Sequence, residues 1–228
     1  MPVLEIDGAI PAPMASRLPS VPLTLRVMAG ECVLIDARSS LQAREFVDLC
    51  CGLLPLRSGH IRFLGRDWAQ TPQELASALR GHVGCVHGAE SWINFLPADT
   101  NILLPRLYHT RRPEAVLRAM ANDLAISFGL PGLPMTRPDA LGAADLVRAA
   151  CVRAFLGEPR LLLFDHPEIE RIVDLVPALL NASMAAFDNQ AASIWIMRSD
   201  ALWNDRFFPA TMRFRLAERG LVPARAPT

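Results

Sequence analysis

Residues 30–68 read GECVLIDARSSLQAREFVDLCCGLLPLRSGHIRFLGRDW, and this stretch decides the fold. Cys32–Ile35 is a continuous apolar run, the pattern of a strand covered on both faces rather than on one. Together with LTLRVM at 23–28 it predicts strand, tight turn at Ala29-Gly30, strand. A loop of small and polar residues, Asp36 to Leu41, leads into AREFVDLCCGLL, where Phe46, Leu49, Cys50 and Leu53 recur at helical spacing and Gly52 is a stop. In SGHIRFLGRDW, Ile61 and Phe63 alternate ahead of a turn at Gly65, which predicts a short strand and hairpin.

Working outward, HVGCV (82–86) is a further candidate strand. From about residue 95 to 157 the texture is helical. One helix lies in RRPEAVLRAMANDLAISFGL, with Pro113 near its start and Gly129 at its end; a second lies in LGAADLVRAACVRAFLGEP, ended by Gly157 and Pro159. RLLLFDHPE is a short apolar strand ending in acid. VDLVPALLNASMAAF reads as a helix interrupted at Pro177, SIWIM (193–197) as a buried strand, and MRFRLAERGLV as a hairpin turning at Arg219-Gly220. Strands alternating with helices, and no internal repeat, predict an α/β fold: a largely parallel core with an inserted helical subdomain. One domain over 1–228 is expected, with 1–94 and 158–228 as core and about 95–157 as the helical part.

Composition removes several functions. The chain has 228 residues, 51% of them hydrophobic, with 23 basic against 23 acidic side chains. Disorder is excluded as the main state, and no basic excess offers a footprint for nucleic acid. Every basic residue is Arg; no Lys occurs. Lysine-dependent phosphate binding, Schiff-base formation and general-base chemistry are therefore closed to this polypeptide. No stretch approaches the ~20 apolar residues of a membrane span. MPVLEIDGAIPAPM carries Glu5 and Asp7 where an export signal is basic and then apolar, so a cytoplasmic location is expected. Cys32, Cys50, Cys51, Cys85 and Cys151 show neither C-x-x-C nor zinc spacing and read as reduced, buried thiols, with no metal site.

The opening stretch resembles the start of an ABC-transporter ATPase subunit. Gly30-Glu31 lead in the strand, Cys51-Gly52-Leu53 close the helix, and Ser58-Gly59 and Gly65-Arg66-Asp67 fall in register. RAACVRAFLGEPRLLLFDHPE is similar to the stretch from that family's signature helix into its Walker B strand, through Arg148, Arg153-Ala154, Glu158-Pro159, Asp165 and Pro167. ADTNILLP resembles the segment after its Q-loop, through Asn101 and Leu104-Pro105. The likeness covers about residues 23–222 and is nearest to subunits that drive phospholipid trafficking with Mce-type binding proteins. It implies a P-loop-NTPase-like core, a mostly parallel sheet, an N-terminal antiparallel β part and an inserted helical subdomain.

At each functional position of the resemblance the chemistry is changed. A phosphate loop needs glycines whose N–H groups converge on phosphate, a Lys for the outer phosphates and a hydroxyl for Mg²⁺. This chain reads Ala37-Arg38-Ser39-Ser40-Leu41-Gln42-Ala43-Arg44. Ala37, Ser40 and Gln42 replace the glycines, Ala43 the Lys and Arg44 the hydroxyl. The Q-loop glutamine aligns with Gly88, the catalytic glutamate after Asp165 with His166, and the switch histidine with Ser199. The signature reads Leu141-Gly142-Ala143-Ala144-Asp145, and residues 1–31 hold no aromatic to stack on adenine. Asp165-His166 could be drawn as a dyad; the plainer reading is an acid ending a buried strand beside a turn histidine.

The expectation is a catalytically inactive ABC-type pseudo-ATPase, a structural or regulatory subunit on the cytoplasmic face of a membrane transporter. No cofactor is expected. Its implied partners are an integral membrane permease and a second ATPase-like subunit, as homodimer or heterodimer. Trp92, Ile93, Phe95 and Leu96 would form the permease socket, with Trp92 equally placed to be core. Two alternatives stay open: a divergent ATPase that still binds nucleotide through Arg38 and Arg44, the one reading under which ATP and Mg²⁺ would be expected, and a soluble scaffold or assembly factor.

Overall fold

The computed structural model describes residues 2–13, 16–37, 39–87, 92–165, 169–197 and 201–225. Two sheets organise the chain. The first is antiparallel, in the order β2-β1-β4-β5, built from β1 (Pro2–Pro11), β2 (Leu23–Met28), β4 (Leu56–Phe63) and β5 (Arg66–Asp67). The second runs β10-β9-β3-β8-β7-β6. Its members are β3 (Cys32–Asp36), β6 (Val83–Val86), β7 (Leu161–Phe164), β8 (Ala192–Met197), β9 (Met212–Ala217) and β10 (Gly220–Pro223). All neighbours in it are parallel except β9 and β10.

The apolar runs resolve into two cores by the twofold alternation of strand side chains. On one face Val33, Ile35, Leu161, Leu163, Ile194 and Ile196 meet the antiparallel sheet and α1 (Ser40–Cys50), which contributes Phe46, Val47 and Leu49. On the other, Leu34, Leu162, Phe164, Trp195 and Met197 meet the helices. These are α3 (Ala98–His109), α4 (Glu114–Ser127) and α5 (Ala143–Phe155), inserted between β6 and β7 as the helical subdomain, and α6 (Leu175–Asp188). Phe164 and Trp195 stack at 4.1 Å between ring centres, at the middle of this second core. Two small helices, α2 (Gln73–Arg80) and α7 (Ala201–Asn204), complete the chain.

Pro177 does not interrupt α6. It is the helix's third residue, in the first turn, where an N–H would have no helical acceptor and the proline costs nothing. Pro105 lies inside α3, which nevertheless continues to His109. Strand β1 has no counterpart in the sequence reading: its alternation is broken by register shifts on either side of Gly8 and by terminal prolines.

Several contacts tie the subdomain to the core. Arg148, 9% exposed, donates from Nη2 to both carboxylate oxygens of Asp174 at 2.8 and 2.9 Å and from Nη1 to the Phe128 carbonyl. It thereby joins the end of α4 to the residue before α6. Gly84 in β6 lets α5 approach so closely that a Cβ there would stand 2.3 Å from the Ala154 carbonyl oxygen. In the antiparallel sheet, Gly59 has φ +81°, and a Cβ on it would lie 2.2 Å from the Gly8 carbonyl oxygen. Backbone handedness costs an alanine roughly 1–2 kcal/mol in that conformation, before the clash. Gly59→Ala should therefore lower unfolding stability by at least about 2 kcal/mol, read as a lower urea midpoint; an unchanged midpoint would contradict this packing.

Candidate functional site

In parallel α/β sheets, ligands gather beyond the carboxyl ends of the strands. Here that edge brings together Ala37 after β3, Met197 at the end of β8, Asp165 after β7 and His87 after β6. The Ala37 N–H donates to the Met197 carbonyl at 2.9 Å, and the Asp165 N–H to the Val86 carbonyl at 3.0 Å. Asp165 is buried. Of the sequence-predicted positions, Arg38, Gly88, His166 and Ser199 lie outside the described residues.

Between β3 and α1 only residues 37–39 intervene. Ser39 is the N-cap: its Oγ accepts from the Gln42 N–H at 3.3 Å, and its carbonyl accepts from the Ala43 N–H at 2.9 Å. Ser40, Leu41, Gln42, Ala43 and Arg44 are thus the first turn of a helix, with the amides of 42 and 43 already bonded. Ala43 packs its methyl into the core, whereas Leu41 is half-exposed. The Gln42 side chain donates to the Arg17 carbonyl at 3.1 Å. Arg44 approaches Asp48, one turn on, with Nε 3.7 Å from Oδ1.

His87 stands among these groups. Burial, followed by the positive charge of Arg44, lowers its pKa to about 4, with Asp165 pulling the other way. Its Nδ1 is buried without a hydrogen-bond partner among the described residues. The signature residues lie elsewhere. Leu141 follows a short turn over Pro138–Ala140, Gly142 caps α5 without a side-chain bond, and Ala143, Ala144 and Asp145 form its first turn. Gly142, Ala143 and Ala144 are exposed.

A groove of about 350 Å³ opens between the sheet edge and the helical subdomain, lined among others by Gly84, Cys85, His87, Ile93, Leu104 and Arg153. The four predicted socket residues divide around it. Trp92 is core, with the Arg153 guanidinium 4.7 Å above its ring; Ile93 lines the groove; Phe95 is 75% exposed, and Leu96 is half-buried. Asn101 holds their loop. Its Oδ1 accepts from the Ile93 N–H at 2.8 Å, and its Nδ2 lies 3.0–3.1 Å from the carbonyls of Ile93, Leu96 and Pro97. Sequence reasoning singled out Asn101 only by resemblance. Leu104 falls within the stretch 88–105 expected to form the groove, whereas Arg153 and Cys85 were not assigned to it because their proximity arises only when α3 and α5 close on β6. Three or more His, Cys, Asp or Glu side chains grouped to hold a metal ion do not occur among the described residues, and no described helix is long and apolar enough to cross a membrane.

The depressed value at His87 has a signed consequence. The imidazole stays neutral in the folded chain at pH values where the unfolded chain binds a proton. Stability should therefore fall as pH is lowered from about 6.5 to about 4, with a contribution of up to about 1.4 kcal/mol per pH unit from this group. His87→Asn should flatten that part of the denaturation-versus-pH curve; an identical slope in the variant would refute the assignment.

No family model matches the chain. In sequence it is 26% identical over 145 residues to the intermembrane phospholipid transport system ATP-binding protein MlaF of Haemophilus influenzae, over 64% of this chain and 55% of that protein. The match thus spans little more than half the length of that relative. In structure it is similar to MJ0796, a bacterial ABC transporter cassette solved as a dimer, at TM-score 0.79 and 12% identity, over 96% of each chain. It is also similar to cbiO1 of Clostridium perfringens, part of the ABC transporter complex cbiONQ, at TM-score 0.74 and 15% identity, over 97% of this chain and 87% of that one. With its antiparallel sheet, mostly parallel sheet and inserted helical subdomain, the chain has the fold of the ABC ATPases, and in sequence it resembles the ATP-binding subunits of ABC transporters.

Proposed function

We propose that this chain is a pseudo-ATPase of the ABC type: a subunit that keeps the architecture of the transport motor and has given up its nucleotide chemistry. It serves as a structural or regulatory component on the cytoplasmic face of a membrane transporter, and the likeness to MlaF favours lipid trafficking as the process. The observation that carries this reading is the first turn of α1. The register that would cradle a triphosphate is helix from Ser40, with the Gln42 and Ala43 amides bonded to Ser39 and no Lys anywhere in the chain. A helical turn capped by its own serine presents fewer free N–H groups than a glycine-rich loop. The exposed Gly142-Ala143-Ala144 turn lacks the serine hydroxyl that a partner's nucleotide would require, so both composite sites of a dimer with an active sibling would be weakened. Within this reading residues 1–94 and 158–228 are the core and about 95–157 the helical part.

One observation favours a second reading, a divergent ATPase that still binds nucleotide. Arg44 Nε is buried without a hydrogen-bond partner among the described residues, and its ion pair with Asp48 is a loose one at 3.7 Å, from which a bound anion would draw the guanidinium. Thermal unfolding with and without Mg-ATP separates the two. The melting temperature should not move, whereas nucleotide at 100-fold over its Kd would add ~2.7 kcal/mol. Phosphate release should stay at the blank, in the unaltered chain and in Asp165→Ala alike. Turnover abolished by Asp165→Ala would overturn the proposal.

The groove is the docking surface in this reading. Ile93 and Leu104 supply its apolar lining, Phe95 and Leu96 stand beside it, and Trp92 under Arg153 is its support. Its partner is an apolar segment of an integral membrane permease, beside a second cassette, either a copy of this chain or an active sibling. In a mild-detergent pull-down from the native membrane, Ile93→Asp should sharply reduce permease recovery while leaving the far-UV spectrum unchanged. Recovery of no integral membrane protein by the unaltered chain would point to a free scaffold.

A further inference from the structure

Two of the five free cysteines touch. Cys51, the residue that closes α1, and Cys85, in the middle of β6, place their sulfurs 3.9 Å apart. The pair is asymmetric. Cys51 is 7% exposed and packed in the core beneath α1, whereas Cys85 is half-buried and lines the groove. A small oxidant entering the groove therefore meets Cys85 first and finds Cys51 directly behind it.

The surroundings suit the two sulfurs to different tasks. The Arg153 guanidinium lines the same groove as Cys85, so the open sulfur sits beside a fixed positive charge. Cys51 is held well above the ordinary thiol range by its contact with Cys85 and by burial. The Arg80 Nε donates to the Cys51 carbonyl at 2.9 Å and fixes the end of α1 in place. Cys50, next in sequence, is fully buried on the core side of α1 and makes no such contact. An attacking thiol, a resolving thiol in van der Waals contact and an opening to solvent are the parts of a redox dithiol.

We propose that Cys85 and Cys51 form a peroxide-sensitive dithiol, with Cys85 the residue attacked and Cys51 the resolving thiol, whose disulfide ties the end of α1 to the wall of the groove. The Cys85 thiolate attacks one peroxide oxygen; an S–O bond forms, the O–O bond breaks, and the departing hydroxide takes up a proton as water. The Cys51 sulfur then attacks the Cys85 sulfur; the S–S bond forms, the S–O bond breaks, and the second hydroxide leaves with the Cys51 proton as a second water. Two thiols are oxidised and one hydrogen peroxide is reduced. The sulfurs must close from 3.9 Å to about 2.05 Å.

The whole chain treated with hydrogen peroxide, blocked with N-ethylmaleimide and digested with trypsin without reductant provides the test. A peptide pair joining residues 45–57 to 81–106, lighter by two hydrogens than its parts and separated by dithiothreitol, is the expected product. Fragmentation should place the link on Cys51. Cys50→Ser should keep it, and Cys51→Ser should replace it with over-oxidised Cys85. A link through Cys50, a link between two chains, unmodified Cys85, or over-oxidised Cys85 in the unaltered chain would each overturn the proposal. Should Cys51→Ser fail to fold, fragmentation of the unaltered chain's product decides alone.

Discussion

Strand β3 is the constraint on which everything else rests. It pairs in parallel with β8 on one side and β9 on the other, and both of its faces are covered. A strand in that position cannot tolerate a polar side chain on either face, which is why Cys32–Ile35 is apolar without a break. Its two faces also recruit the two cores, one closed by α1 and the antiparallel sheet, the other by α5 and α6. Everything at the functional edge takes its place from where β3 and its parallel neighbours end.

That origin explains what could be read in the sequence. Continuous apolar runs announced the buried strands β3, β7 and β8. Helical spacing announced α1, and proline and glycine breaks announced α4 and α5. β1 escaped notice because its bulges and prolines spoil the alternation, and it is held by partners far along the chain, at 23–28 and 56–63. Pro177 misled because a proline's effect depends on its position within a helix, and the boundary at Asp174 is fixed by the ion pair with Arg148, 26 residues earlier.

The candidate site shows the same division. The missing lysine is a fact of composition, and Ala37, Ser40 and Gln42 at glycine positions are what the resemblance implies. That Ser39 caps a helix there, with three residues left between strand and helix, depends on how the backbone resolves those substitutions. His87 beside Arg44 and Asp165, Arg153 above Trp92, and Cys51 against Cys85 are contacts between distant segments. No local pattern encodes them; they follow from the order in which strands enter the sheet.

The approach of α5 to β6 at Gly84 has a mechanical meaning. Backbone rests on backbone there, with no side chain between them to compress or rotate. Such a joint works as a weld rather than a bearing: at this point the spacing of α5 and β6 is set by carbon and oxygen radii, and any side chain larger than hydrogen at position 84 would prise the two elements apart.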